Sequence, residues 1–497
     1  MKSLRPVIVF NQFFTAMCKI KPFPPFSTVI SLYRQLLLLG IRPNNYSLNI
    51  MANCYCCLGL VDLGFSILAS FFKLGYQPDI VTFTNLINGL IHCNNLDHAV
   101  KLLDKAVKLG LQPTIYTYGT MFKGLCKTRN HAGARNLLRK MESHGRCMPD
   151  VVIYNTIIDC LCKDNLLAKA LGLFSEMKTK DNNIHPDVQT YTTLIDMYCK
   201  EEEVYEARAI FDLMRRKGVY PDVITYNSLL DGYCLCGQMD EAKNLMDLMI
   251  NDGCKPNIVT FSTLINGYCK SRKIDKALSL LHKMPLKGLT PDVVTYNTVI
   301  DALCKANRVN CASQLLKKME FCGLKADVYT WNSMLHGLCK GEQINEAMEL
   351  FREMESNGVV PDIITYNILC DGLCEAGRLG EAMEFFLTLP EMGLHPSSHT
   401  YTIIIKGLCK NGFLNEATEL LRSMQDNGCP PDERTYNTII KGFLLGKDVS
   451  KAIELVTIMR SNGSAADAHT ASLFAGLLTD HAVSDTDKAL LRNFFKT

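Results

Sequence analysis

Hydrophobic residues recur along this chain at intervals of three and four, the spacing typical of one buried face of an α-helix. Residues 293–327 carry two such apolar stripes: Tyr296, Val299, Ile300 and Leu303, then Val309, Ala312, Leu315, Leu316 and Met319. A break at Ala306–Asn307 separates the stripes. This segment therefore predicts two amphipathic helices joined by a short turn.

The helical pair repeats with a period of 35 residues in thirteen units, with three extra residues in the first, one in the fourth and two in the fifth. The units are 7–44, 45–79, 80–114, 115–150, 151–187, 188–222, 223–257, 258–292, 293–327, 328–362, 363–397, 398–432 and 433–467. Residues 1–6 precede them, and residues 468–497 begin like another unit before the pattern fades, as expected of a terminal cap. The predicted fold is all-α, a right-handed superhelical solenoid of about thirteen helix-turn-helix repeats.

Glycine recurs where each second helix should end, which indicates a left-handed residue that stops the helix. These glycines are Gly40, Gly75, Gly110, Gly218, Gly253, Gly288, Gly323, Gly358, Gly393, Gly428 and Gly463, and Asn183 takes the same place in the fifth unit. Proline usually follows three residues later and sets the entry to the next unit.

Composition adds limits on the class of protein. Hydrophobic residues make up 47% of the 497 positions, and the net charge of +3 neither demands nor excludes a polyanionic partner. No apolar run approaches the roughly 20 residues that cross a bilayer, so membrane insertion is not expected. Half of the 22 cysteines fall on one helical position, which favours a reducing compartment over a disulfide framework. Residues 1–6 are too short for a targeting peptide, so targeting is absent or a leader precedes this sequence.

On the first helix of each unit, positions 2, 5, 9 and 13 share a face that differs from the apolar stripe. Position 5 is small and polar in twelve units: Asn11, Asn49, Thr84, Asn155, Thr192, Asn227, Ser262, Asn297, Asn332, Asn367, Thr402 and Asn437, with Gly119 in the fourth unit. The last residue varies between acid and small polar: Asn44, Asp79, Thr114, Asp150, Asp187, Asp222, Asn257, Asp292, Asp327, Asp362, Ser397, Asp432 and Asp467.

Positions 2 and 13 are mostly apolar and mostly cationic, respectively. Position 2 is usually aliphatic or aromatic, as at Ile8, Tyr46, Val81, Tyr116, Val152, Ile224, Val259, Val294, Tyr329 and Ile364. Position 13 is lysine in eight units, at Lys19, Lys127, Lys163, Lys200, Lys270, Lys305, Lys340 and Lys410. An apolar surface to sandwich a base, polar groups for its edge and a cation for phosphate are what single-stranded RNA requires.

Ordinary structural roles compete with this interpretation. Asp before a helix is commonly an N-cap, the position-5 residues could form a solvated polar face, and a lysine at position 13 suits a helix C-terminus. None of these explains why position 5 is confined to Asn, Thr and Ser while its neighbours vary.

The motif VVTYNTVIDALCK, followed by GLxxPD, resembles the pentatricopeptide repeat family, and the pattern extends over residues 7–467. The 35-residue units resemble the P class, and residues 10–79 look like the N-terminal part of the restorer-of-fertility-like group of plants. The resemblance implies one nucleotide per unit, with RNA running 5′ to 3′ from the N-terminus. It also implies that Asn at position 5 selects pyrimidines and Thr or Ser purines, while a last residue of Asp selects keto bases and Asn or Ser amino bases.

By this resemblance the units read the site 5′-CUNNUGCGUUCGU-3′. The pairs are Asn11/Asn44 for C, Asn49/Asp79 for U, Asn155/Asp187 for U, Thr192/Asp222 for G, Asn227/Asn257 for C, Ser262/Asp292 for G, Asn297/Asp327 and Asn332/Asp362 for U, Asn367/Ser397 for C, Thr402/Asp432 for G and Asn437/Asp467 for U. Thr84/Thr114 and Gly119/Asp150 match no strong code. Val152, Ile224, Val259, Val294, Tyr329 and Ile364 would sandwich bases, and Lys127, Lys163, Lys200, Lys270, Lys305, Lys340 and Lys410 would bind phosphates.

Other chemistries receive less support. Cysteine recurs at position 12 without a histidine at a fixed offset, so these thiols are expected to pack between helices, and no metal or cofactor is expected. No H-x-E motif of a zinc deaminase is present, and catalysis is not expected. A tetratricopeptide-like protein-binding scaffold is the main alternative, although its period is 34 and its W-x₂-L-G-x₂-Y signature is missing. The resemblance favours mitochondrial transcripts, with the chloroplast as alternative, and a nuclease or other processing factor in trans.

Overall fold

The computed structural model describes residues 4–20, 22, 24–144, 147–179, 184–463, 467–479 and 489, which are helical with short turns and contain no strand. The helices are α1 (Leu4–Cys18), α2 (Phe26–Leu38), α3 (Asn45–Cys57), α4 (Val61–Lys73), α5 (Ile80–His92), α6 (Leu96–Lys108), α7 (Ile115–Lys127), α8 (His131–His144), α9 (Val151–Lys163), α10 (Leu167–Thr179), α11 (Val188–Lys200), α12 (Val204–Arg216), α13 (Val223–Leu235), α14 (Met239–Asn251), α15 (Ile258–Lys270), α16 (Ile274–Leu286), α17 (Val293–Lys305), α18 (Val309–Phe321), α19 (Val328–Lys340), α20 (Ile344–Ser356), α21 (Ile363–Glu375), α22 (Leu379–Thr388), α23 (Ser398–Lys410), α24 (Leu414–Asp426), α25 (Glu433–Leu445), α26 (Val449–Ser461) and α27 (Ala468–Thr479). The prediction of an all-α repeat solenoid is confirmed.

The helix starts follow the predicted units. From α3 to α25, every odd-numbered helix begins at the first residue of a unit. The first helix differs, because α1 begins at Leu4 and so includes part of the segment assigned to an N-terminal stub. Pro6 does not stop it, since the first-turn N–H groups of a helix have no partner within the helix. Of the predicted cap, α27 and residue 489 lie within the described residues.

The chain forms two compact bodies, Met1–Cys236 with Asn251–Cys254, and Gly237–Ile250 with Lys255–Thr497. Within each body, the first helix of a unit packs against its own second helix and against the first helices of neighbouring units. The stripes predicted in residues 293–327 are buried in this way, with Ile300 and Ala312 fully enclosed. No helix in the described part of the chain is both long enough and apolar enough to cross a membrane.

The second helices end as predicted, with positive φ at all eleven glycines of the recurring set, including 78° at Gly323. Asn183 lies outside the described residues. A second left-handed position was missed: position 15, between the two helices of a unit, where Asn94, Arg129, Asn165, Glu202, Arg272, Asn307, Glu342 and Lys447 all have positive φ. Its sequence signal is weak because residues other than glycine and asparagine occupy it in five of these eight cases.

The position-12 cysteines pack between successive first helices, as expected. Cys304 and Cys374 are buried, and each faces a glycine at position 10 of the following unit. A Cβ atom at Gly407 would lie 2.3 Å from the Sγ of Cys374, and one at Gly337 would lie 2.7 Å from the Cβ of Cys304. The alternation of cysteine and glycine therefore sets how closely consecutive first helices approach.

Candidate nucleic-acid interface

The last residue of every unit caps the next first helix. In the ninth unit, the side chain of Asp327 accepts a hydrogen bond from the backbone N–H of Thr330 at 2.9 Å. The same bond is formed by Asn44, Asp79, Thr114, Asp150, Asp187, Asp222, Asn257, Asp292, Asp362, Ser397, Asp432 and Asp467. The N-cap interpretation is thus confirmed, and it fixes the orientation of the side chain predicted to read a base.

Asparagine at position 5 is buried and bonded to that cap. The Nδ2 of Asn297 donates to Oδ1 of Asp327 at 3.0 Å, and its Oδ1 accepts from the Thr330 hydroxyl at 2.6 Å. The amide–cap bond recurs in the pairs Asn11/Asn44, Asn49/Asp79, Asn155/Asp187 and Asn332/Asp362. Since Asn297 is only 6% exposed, position 5 is not a solvated polar face.

Threonine and serine at position 5 are held differently. The Thr402 hydroxyl donates to the Ser398 carbonyl one turn earlier at 2.7 Å, and lies 2.8 Å from the Thr435 hydroxyl of the next unit. The corresponding hydroxyl pairs are Thr84/Thr117, Thr192/Thr225 and Ser262/Thr295. Both kinds of position-5 residue therefore bond to the hydroxyl at position 3 of the next unit.

That position-3 hydroxyl is the residue that the sequence interpretation missed. It is threonine in most units and fully buried, as at Thr330 and Thr365. The signal was present as a recurring threonine two residues before position 5. It was missed because the four chosen positions were compared within one unit, whereas the contact joins one unit to the next.

Two predicted pairs depart from this arrangement. The amide of Asn437 donates to the Glu433 carbonyl at 2.8 Å, while Asp467 accepts from Lys441 at 2.7 Å instead. The Oδ1 of Asn367 is buried without a hydrogen-bond partner. In the seventh unit, Asn227 lies half-buried on α13, and Asn257 caps α15.

The fourth unit lacks the polar network altogether. Its position-5 residue is Gly119, and position 3 of the next unit is Ile153 rather than threonine. Ile153 is buried at 1% exposure. Both partners are thus replaced together, so that no buried hydroxyl is left without a partner.

Several capping aspartates have lowered pKa values. Partial burial acts to raise the pKa of Asp327, but hydrogen bonds from the Thr330 backbone and hydroxyl and from Asn297 outweigh it and hold the pKa below its usual value. The pKa values of Asp187 and Asp362 are lowered through the same contacts. These carboxylates are hydrogen-bond acceptors at neutral pH.

Within each compact body, the position-2 side chains form an exposed apolar row. The side chains predicted to sandwich bases are all more than half exposed: Val152 67%, Ile224 65%, Val259 56%, Val294 68%, Tyr329 55% and Ile364 55%. Isolated apolar residues on a surface are common, but here they recur at one unit position beside each buried polar pair.

Several position-13 lysines are already paired. Lys163, Lys200 and Lys305 bond to aspartates at position 9 of their own helices at 2.6–2.7 Å, and Lys410 contacts Glu375 at 2.6 Å. The aspartate one turn before Lys163, Lys200 and Lys305, a favoured arrangement on a helix, was not considered in the sequence interpretation. Among the described residues, no carboxylate lies within 4.0 Å of Lys127, Lys270 or Lys340.

Two surface cavities bring the predicted positions together. A cavity of about 460 Å³ is lined by Ile8, Asn11, Lys19, Asn44 and Tyr46 with three neighbours. A second, of about 620 Å³, includes Lys340, Ile364, Asn367 and Thr402 in its lining. Each combines positions 2, 5 and 13 of one or more units, as the prediction of a shared groove requires.

Comparison with known sequences identifies the repeat. The family model described as "PPR repeat family" matches residues 78–127, 149–200, 186–235, 221–270, 256–305, 291–340, 326–375, 361–410 and 404–444. The model "PPR repeat" matches residues 46–76, 116–146 and 434–464.

Relatives in Arabidopsis thaliana share shorter stretches. "Putative pentatricopeptide repeat-containing protein At1g12700, mitochondrial" is 40% identical over 89 residues, which are 18% of this chain and 14% of that protein. "Pentatricopeptide repeat-containing protein At1g12300, mitochondrial" is 39% identical over 77 residues, 16% of this chain and 12% of that protein. The aligned stretches thus span about one seventh or less of these relatives.

Solved structures share the fold along nearly the whole chain. The pentatricopeptide repeat protein PPR10 from maize superposes with a TM-score of 0.68 and 23% identity, covering 98% of this chain and 70% of that one. PPR10 in complex with an 18-nt psaJ RNA element gives a TM-score of 0.52 and 21% identity, covering 98% and 84%. At these identities the likeness shows the fold.

Proposed function

This chain belongs to the PPR repeat family, and we propose that it is a sequence-specific single-stranded RNA-binding protein in which each repeat binds one nucleotide. The observation that carries the proposal is the recurring junction of a buried position-5 residue, a capping last residue and an exposed apolar side chain. The similar fold of maize PPR10, solved with an RNA element, supports it.

The two kinds of position-5 residue offer opposite hydrogen-bonding groups to a base. An amide nitrogen carries two protons, and the bond from Asn297 to Asp327 uses one, which leaves a donor. The Thr402 hydroxyl gives its single proton to the Ser398 carbonyl, which leaves an acceptor. A base edge that pairs well with the amide donor of asparagine therefore pairs poorly with the hydroxyl acceptor of threonine. A distinction between pyrimidines and purines requires such a difference.

The last residue supplies the second distinction. In the ninth unit, Oδ1 of Asp327 accepts from Thr330 and Asn297, and the carboxylate has a second oxygen available as an acceptor. An Asp-to-Asn change replaces an acceptor-only group by one that also donates, which changes the preferred base edge. The same pairs yield the proposed site 5′-CUNNUGCGUUCGU-3′, in which Thr84/Thr114 and Gly119/Asp150 leave the third and fourth bases open.

The exposed apolar row and the lysines complete the binding surface. Val294 and Tyr329 from consecutive repeats would contact the two faces of one base, and Lys340 would contact phosphate. Lys163, Lys200, Lys305 and Lys410 would have to leave their carboxylate partners first, so we assign them a weaker phosphate role than the sequence suggested.

In the cell, we propose that binding serves the processing, stabilisation or silencing of organellar transcripts. The relatives named as mitochondrial support the mitochondrion. The plain 35-residue repeat and the N-terminal sequence support a P-class protein of the restorer-of-fertility-like group. Such a protein would act by occupying about thirteen nucleotides, with any cleavage supplied by a nuclease in trans.

Titration of a labelled 13-mer of the proposed site against a shuffled 13-mer, at fixed salt, tests this function. Affinity for the proposed site should exceed that for the shuffled RNA by at least about tenfold, the effect of a single mismatched base. Equal affinity would refute the base assignments. If neither RNA bound and a peptide array did, the chain would be a protein-binding scaffold.

A further inference from the structure

The first three repeats expose apolar side chains at the same place in each unit. This place is the seven residues before the last residue of the unit, where the second helix ends and the chain turns: 37–43, 72–78 and 107–113, here called the edge segments. Their exposed large apolar side chains are Leu37 44%, Leu38 87%, Leu39 75%, Phe72 67%, Leu74 40%, Val107 41% and Leu109 61%. Seven such side chains in three consecutive repeats form a patch of the kind that marks a binding surface.

The edge segments are held in place by the core beneath them. Ile41 and Tyr76, at the same place in the first two segments, are half-buried and pack against one hydrophobic cluster. The Tyr76 hydroxyl also donates to the Pro43 carbonyl at 3.2 Å, which joins the second segment to the first. Leu111 is the corresponding residue of the third segment and packs against the adjoining cluster. The exposed side chains therefore project from a fixed backbone.

The charges of the edge segments have a single sign. Arg42, Lys73 and Lys108 are exposed, and the three segments contain no aspartate or glutamate. Within the described part of the chain, none of these three cations forms an ion pair. Asp104 lies one turn before Lys108 but faces Lys140, at 4.0 Å. The patch is thus both apolar and cationic, and it complements an anionic surface that has an apolar interior.

Later repeats do not combine these properties. Among the described residues, each later unit exposes at most one large apolar side chain in the corresponding seven positions. Phe321 is 92% exposed, for example, but directly follows Glu320. Carboxylates occupy this stretch in five later units, at Asp252, Glu320, Glu355, Glu391 and Asp426. The combination therefore belongs to the first three repeats and not to the repeat pattern in general.

We propose that the edge segments dock the first three repeats onto the surface of an anionic phospholipid bilayer. Leu38, Phe72 and Leu109 enter the boundary between headgroups and acyl chains, while Lys73 and Lys108 contact lipid phosphates. The projecting side chains favour lipid over a protein partner, because a fluid surface admits separate knobs whereas a protein needs a matching pocket for each. Docking of this kind requires no segment that crosses the bilayer.

Vesicle flotation of the full-length protein without RNA tests the proposal. The protein should float with vesicles of equimolar phosphatidylcholine and phosphatidylglycerol. It should bind vesicles of phosphatidylcholine alone more weakly, and added salt should reduce binding to the mixed vesicles, because the lysine contacts are electrostatic.

Substitutions separate the apolar contribution from the cationic one. Leu38→Ala and Phe72→Ala should each weaken vesicle binding by about tenfold, since each removes apolar area that enters the lipid. Lys73→Gln and Lys108→Gln should each weaken it by about fivefold. Phe321→Ala is the matched control, because Phe321, like Leu38, is an exposed last residue of a second helix. That variant should bind vesicles like the wild type, and all five should keep the Tm and RNA affinity of the wild type.

A fluorescence readout locates the contact. Leu109→Trp adds an exposed tryptophan to a chain whose Trp331 is buried, and brominated phospholipids should quench the added fluorescence. A wild type that stays off the anionic vesicles, or equal losses in Leu38→Ala and Phe321→Ala, would overturn the proposal. If the wild type instead formed a dimer that Leu38→Ala dissociates, without binding vesicles, the patch would join two copies of the chain and the lipid assignment would be wrong.

Discussion

Asn297 and Asp327 are 30 residues apart in sequence, yet the amide of the first donates a 3.0 Å hydrogen bond to the carboxylate of the second. The contact links the middle of one first helix to the start of the next. It makes the two residues predicted to read a base parts of one rigid unit, built before any RNA arrives. Preformed contacts of this kind lower the entropy cost of binding.

The Thr330 hydroxyl should hold this pair together. It is fully buried and donates to Asn297 at 2.6 Å and contacts Asp327 at 2.8 Å. Thr330→Val would leave the Asn297 carbonyl without its donor, so urea unfolding should show a loss of about 1–3 kcal/mol. Thr298→Val is the control, because that hydroxyl bonds only to the Val294 carbonyl of its own helix at the surface. Equal losses in both variants would contradict the assigned role.

Two lysines at the same unit position should respond differently to neutralisation. Lys340 has no carboxylate within 4.0 Å among the described residues, whereas Lys305 bonds to Asp301 at 2.7 Å. Lys340→Gln should therefore reduce the slope of log affinity against log salt by about 0.7, the value for one single-strand phosphate contact. Lys305→Gln should reduce it less.

Removing the charge of Asp301 tests the same ion pair with Lys305 from its acidic side. Asp301→Asn should free Lys305 and strengthen RNA binding, as measured by anisotropy at several salt concentrations. A slope change for Lys305→Gln as large as that for Lys340→Gln would show that the ion pair does not compete with phosphate.

The spacing of consecutive repeats should depend on the glycine at position 10. Gly407→Ala would place a Cβ atom 2.3 Å from the Sγ of Cys374, and overpacking of this kind costs about 1–3 kcal/mol. Cys374→Ala should restore part of the loss. Gly380→Ala is the matched control, since a Cβ there has no atom within 4 Å, and it should be neutral or stabilising. Thermal unfolding that ranks the two alanine variants equally would disprove this packing.

The sequence predicted the elements that depend on local pattern. The helix starts, the glycines with positive φ and the N-caps follow from short-range chemistry, and all three agree with the structure. The start of α1 is the exception, because the helix begins at Leu4, three residues before the first predicted unit.

Contacts between units were harder to predict. The bond from Thr330 to Asn297, the packing of Cys374 on Gly407 and the 2.9 Å contact of His131 with Asp164 each join residues that are about one unit apart. A comparison of positions within one unit shows that such residues recur, but does not show that they touch. The ion pair of Lys305 with Asp301 lies within one helix, and was missed because position 9 was not considered as an acidic position.

The central claim is that residue identity at position 5 selects the base, and the most direct measurement exchanges that residue and the base together. Asn297→Thr should fold normally, because a threonine there can pair with Thr330 as Thr402 pairs with Thr435. Affinities of the wild type and this variant are measured for the 13-mer with U or G at the ninth base. The account predicts that the wild type prefers U and the variant prefers G, each by about tenfold. An unchanged preference in the variant would contradict it.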